Sequence, residues 1–109
     1  MKKTSLFAVV LVTAPSIKVA RELAAAALHE RLAACANIIP GLESHYWWKG
    51  KLEKSAETQI LFKTTRRRLP ALEKLVLAKH PYETPEVLVL TPEAGSERYL
   101  AWLGSACSE

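Results

Sequence analysis

The chain has 109 residues, 50% of them hydrophobic and 24% charged, with a formal net charge of +4. This suits one compact domain over residues 1–109 with a single core, and no apolar run approaches the ~20 residues of a membrane helix. The charge is too small to point to nucleic acid, and Cys35 and Cys107 form neither a C-x-x-C motif nor a disulfide framework.

The N-terminal stretch MKKTSLFAVVLVTAPSIKVA admits two readings. Two lysines ahead of a short apolar run look like a secretory signal. The run from Leu6 to Val12 is near the lower limit for such a signal, is rich in large and β-branched residues, and is stopped by Pro15. It is therefore read as a buried strand, about Ser5 to Ala14. Ser16 stands where a helix N-cap belongs. From Ile17 to about Arg31, Ala20, Leu23, Ala24, Ala27, Leu28 and Leu32 recur at spacings of three and four, which predicts a helix able to lie close to a sheet.

The second strand is expected from about Asn37 to Trp48. Pro40-Gly41 interrupts it, and proline cannot donate to a ladder, so this point should be an edge or a bulge. Lys49-Gly50 reads as a two-residue hairpin loop. That loop length pairs Trp48 with Lys51, Trp47 with Leu52, Tyr46 with Glu53 and His45 with Lys54. The return strand runs to about Thr65. A second helix is predicted over Leu69–Lys79, with Pro70 in its first turn. HPYETPE is a proline-punctuated loop, followed by a strand from Glu86 to Thr91 and a terminal helix from Glu97 to Ser105.

The order β-α-β-β-α-β with a short C-terminal helix predicts a ferredoxin-like α+β sandwich. Right-handed crossovers should place the first and third strands at the centre, parallel to each other. At ~3.3 Å per residue the first strand spans roughly 30 Å and the hairpin's return strand roughly 45 Å, so the hairpin overhangs its own sheet. The overhang carries Tyr46 and Trp48 on one side and Trp47 and Leu52 on the other. A free two-stranded ribbon cannot bury aromatics on both faces. A homo-oligomer is expected in which each hairpin lies on the next copy, and a head-to-tail contact closes most simply as a trimer.

The segments RLAACANIIPGLESHYWWKGKLE, FKTT, HPYETPEVLVL and YLAWL closely resemble the CutA family, the CutA1 divalent-cation tolerance proteins. The likeness runs from about Leu11 to Leu103 in the family's order and spacing. It implies the same fold, a tight trimer built by hairpin exchange of sheet edges, a PII-like architecture with clefts between subunits, and a cytoplasmic location. It also implies a response to metal ions, with copper binding credited to some bacterial members. Their ligand set is a Cys before Thr-Ala-Pro and a His-His pair before Pro-Tyr. Here Val12 and Lys79 occupy two of those positions and only His80 remains. Cys35 matches a further family cysteine, although its place at a strand entry predicts burial. Copper or another divalent cation is thus expected as a weak ligand at His80, with Cys35 a lesser candidate. The plainer reading of His80 is a helix C-terminal histidine bonded to the last carbonyls.

In the family's pattern Lys63, Tyr82 and Glu86 lie around the subunit cleft. There they would fix a small metabolite, as in a PII-like sensor, or simply tie subunits together. The third functional reading is a scaffold for protein partners. Arg66-Arg67-Arg68 reads as an exposed loop without a stacking platform, so no nucleic acid is expected. No nucleophile–base spacing, phosphate loop or H-E-x-x-H is present, so no enzyme is expected.

Overall fold

The structure is a computed structural model and describes residues 1–3 and 5–108; Thr4 and Glu109 of the predicted domain lie outside the described residues. The elements are β1 (Lys2–Lys3), β2 (Phe7–Ala14), α1 (Ile17–His29), β3 (Cys35–Trp48), β4 (Lys51–Thr65), a 3₁₀ turn (Arg66–Arg68), α2 (Leu69–Lys79), β5 (Leu88–Leu90), β6 (Ala94–Gly95) and α3 (Glu97–Ala106). The return strand and α2 have the expected bounds. Helix α1 starts as expected, with the Ser16 side chain accepting the Val19 N–H at 3.2 Å. It stops short of Arg31, because that residue takes φ +56° and leaves helical space. The fourth strand shrinks to Leu88–Leu90, and the small β1–β6 pairing was not expected.

The main sheet has the order β3-β4-β2-β5, so the first and third predicted strands are central. They are antiparallel, not parallel as expected. A crossover returns the chain parallel to the strand it left, but the β3–β4 hairpin then reverses it. The third strand must therefore oppose the first.

Alternation sorts the sheet's two faces. Ala8, Val10, Val12 and Ala14 of β2 and Ile60 and Phe62 of β4 are buried on one face. Leu23 and Ala27 of α1 and Leu72 and Val76 of α2 complete that core. Burying each of the larger side chains contributes ~1.5–3 kcal/mol. On the opposite face Val9 and Leu11 are only half-buried, and Leu88 and Leu90, their register partners on β5, are exposed. Tyr99 and Trp102 of α3, with ring centroids 5.6 Å apart, are exposed as well. Within one chain this second apolar face is only partly covered.

The hairpin follows the expected register. Trp48 pairs with Lys51, Trp47 with Leu52, Tyr46 with Glu53 and His45 with Lys54. Lys49 at φ +50° and Gly50 at φ +78° make the turn, both in the left-handed region that such loops require. The register shifts between Ile39 and Leu42, so Pro40-Gly41 is a bulge, and it lies on edge strand β3. Strand β2 pairs with β4 only as far as Thr58. Residues 51–57 thus continue as a two-stranded ribbon with β3 alone, as the strand lengths predicted.

Candidate functional site

The site forms where the ribbon leaves the sheet and the loop after α2 folds back over the end of β2. His80 anchors that loop. Its backbone N–H bonds to the Val76 carbonyl at 2.9 Å, closing the last turn of α2. Its ring is buried, with Nδ1 accepting the Tyr82 N–H at 3.1 Å and Nε2 lying 2.7 Å from the Thr13 carbonyl. Because Nδ1 accepts, Nε2 carries the proton and donates it to Thr13. The ring therefore binds a carbonyl of β2, not the last carbonyls of its own helix as the plainer reading expected.

Tyr82 is the next link. Its ring packs against His80 with centroids 4.7 Å apart, and its hydroxyl donates to Glu57 Oε2 at 2.7 Å. Burial pushes the phenol's pKa well above its ordinary value, and the hydrogen bond to the Glu57 carboxylate and that group's negative charge push it the same way. The hydroxyl thus remains a donor throughout the physiological range. Glu86 follows Pro85 and turns its carboxylate inward. Its Oε1 is shut off from solvent and has no hydrogen-bond partner among the described residues.

These side chains line a groove of about 570 Å³. Its aromatic lining is Tyr46, Trp47, Trp48 and Tyr82, and its charged lining is Glu57, Glu83 and Glu86. Tyr46 and Trp48 reach it because the register puts them on the same side of the ribbon as Glu57. Sequence reasoning missed Glu57. The two-residue turn already fixed its side of the ribbon, so the signal was present.

Tyr82 and Glu86 are brought together, whereas Lys63 is not. Lys63 lies six residues along β4 from Glu57, ~20 Å at the usual strand rise, and its Nζ is 5.9 Å from the centroid of Tyr99. Cys35 pairs in register with Lys63, away from His80. It is half-buried, not buried as expected, with Sγ 3.6 Å from Asn37 Oδ1. Cys107 is the buried cysteine, 3.7 Å from the Thr64 hydroxyl, because α3 folds back onto the sheet. At the ribbon tip Trp47 is 73% and Leu52 65% exposed, and Tyr46 and Trp48 are also open.

The donor set does not fit a resident metal ion. Both ring nitrogens of His80 are engaged, and the described residues hold no group of three or more His, Cys, Asp or Glu placed to ligate one. No helix among the described residues is long and apolar enough to cross a membrane.

A four-stranded antiparallel sheet with two helices on one face and an overhanging ribbon defines a ferredoxin-like α+β domain. The chain belongs to the CutA1 family, since the profile of the CutA1 divalent ion tolerance protein matches residues 8–106. It is 49% identical over 98 residues to the divalent-cation tolerance protein CutA of Escherichia coli O139:H28, covering 90% of this chain and 88% of that one. Among solved structures, the divalent cation tolerance protein of Thermus thermophilus superposes with a TM-score of 0.90 at 46% identity, covering 93% of this chain and 98% of its own. The CutA of Archaeoglobus fulgidus, described as periplasmic, gives 0.91 at 32% identity, covering 94% and 100%.

Proposed function

We propose that this chain serves in the response to divalent metal ions as a homotrimer that binds a small ligand in its grooves, without catalysing a reaction. The metal response is carried over from what its relatives are named for. The trimer is supported by one observation above all: the chain leaves two separate apolar surfaces bare. One is the ribbon tip with Trp47 and Leu52, and the other is the sheet face with Leu88 and Leu90. A large aromatic covers ~150–250 Å², so the ribbon tip offers a neighbour a substantial apolar surface to cover. Two different surfaces that cover each other make a head-to-tail contact, which forms a ring when its rotation closes, and the trimer is the ring proposed here. The short edge strand β5 also leaves room for a neighbour's hairpin to extend the sheet.

The groove supports the ligand-binding half of this reading, in the manner of a PII-like sensor. Copper at His80 would have to displace either the Thr13 carbonyl or the Tyr82 N–H, which argues for weak contact at best. The apolar N-terminal run serves as a central strand, with Val10 and Val12 in the core, which argues against reading that run as a secretory signal; a cytoplasmic setting is proposed from the family resemblance alone.

Light scattering at micromolar concentration tests the assembly. The expected mass is about 36 kDa, three times the 12.1 kDa of the chain. A well-folded 12.1 kDa particle with tryptophans already shielded would overturn it.

A further inference from the structure

The groove's chemistry is unlike that of the rest of the molecule. The chain carries 15 Lys and Arg against 11 acidic residues, yet no basic side chain lines the groove and three glutamates do. Glu86 Oε1 is sealed from water and lacks a donor among the described residues. An unpaired buried carboxylate oxygen is costly, so a ligand that brings an N–H and a positive charge is favoured there. Glu57 accepts the Tyr82 hydroxyl and keeps further acceptor positions.

The shape selects among cations. The carboxylates are not grouped for a small ion, since no described cluster of three donors can ligate a metal. They are interleaved with aromatic rings, and a ring face attracts an ammonium ion within ~6 Å. Trp48 already makes such a contact, with Lys49 Nζ 5.6 Å from its centroid. At about 570 Å³ the groove falls in the range of small-molecule sites.

We infer that the groove binds an organic cation bearing N–H donors, a primary alkylammonium, with Glu86 as its main anchor, Glu57 as a second acceptor, and Tyr46, Trp48 and Tyr82 around its alkyl chain. This rests on the reading of the groove as a ligand site given above. The His80 and Tyr82 hydrogen bonds hold the loop in place, and the Glu86 carboxylate must turn from its sealed position for Oε1 to meet the ligand.

Tryptophan fluorescence and calorimetric titration with 1,4-diaminobutane, at constant ionic strength, test this. Saturable binding is expected, weaker by about tenfold or more for the uncharged 1,4-butanediol, for tetramethylammonium (which has charge but no N–H), and for the diamine with Glu86→Gln. Trp48→Leu, at an exposed position, supplies a second variant should Glu86→Gln fail to fold, and should weaken binding several-fold. No saturable signal, equal binding of butanediol or tetramethylammonium, or wild-type affinity in a folded variant would overturn the inference. Light scattering on the same samples separates the two readings. A trimer that ignores the diamine rejects the ligand class alone, and a monomer that binds it rejects the assembly alone.

Discussion

Tyr82 is held from both sides, by the buried His80 ring and by the Glu57 carboxylate. Its raised pKa has a consequence for stability. In the unfolded chain the phenol loses its proton near pH ~10, while in the folded protein it keeps the proton to higher pH. The folded state then binds more protons than the unfolded one, so stability falls as pH rises beyond about 10. Tyr82→Phe should remove this component, giving a shallower fall in urea midpoint between about pH 9 and 11 than wild type shows. At neutral pH the same variant should lose about 1 kcal/mol with the Glu57 hydrogen bond. An unchanged alkaline slope would mean that Tyr82 ionises like a surface phenol. At this scale Tyr82 and Glu86 were candidates only through the resemblance to the CutA family; the prolines marked the loop but not the role of these two side chains. The partner of His80 was not, because Thr13 lies 67 residues earlier and no local pattern links them.

Elements were legible wherever a local rule fixes them. The Ser16 cap is an example, and Ser16→Ala should destabilise the protein by about 1 kcal/mol. Thermal unfolding at matched protein concentration would show this as a fall of a few degrees. A cap that mattered only on paper would leave the midpoint unmoved. The hairpin register was fixed by loop length, and the Pro40-Gly41 bulge by proline's missing N–H. The direction of β4 against β2 follows from the hairpin reversal, so the two central strands are antiparallel and not parallel. The shortened β5 is different in kind. Its length depends on what it pairs with, and only three of its residues find partners on β2.

At the scale of the whole molecule, the ribbon tip and the open sheet face are the unfinished parts. Trp47 and Leu52 project from a ribbon beyond the reach of β2, so changing them should leave the fold of one chain intact. The double variant Trp47→Ser, Leu52→Ser is expected to keep its far-ultraviolet dichroism while its scattering mass falls below that of wild type at micromolar concentration. A variant that stays at the wild-type mass would place the contact elsewhere, with the Leu88 and Leu90 face the first candidate. That second face was partly legible. Val9 and Leu11 alternate with Val10 and Val12, which marks β2 as apolar on both sides. Its extension to Tyr99 appeared only with the placement of α3.

By itself the sequence determined the order of the main elements, the turn, the bulge, the overhang of the ribbon and most of the α1 stripe, of which Leu28 is exposed. All of these follow from periodicities and backbone rules that act over a few residues. The tertiary structure alone decided that His80 serves the fold, that Cys107 and not Cys35 is the buried thiol, that Lys63 stands apart, and that Glu57 joins Tyr82 and Glu86. The physical reason is that the groove draws on β2, the β3–β4 ribbon and the loop after α2. Chain segments so far apart are brought into contact by the burial of a shared core, and that burial acts on the whole chain at once.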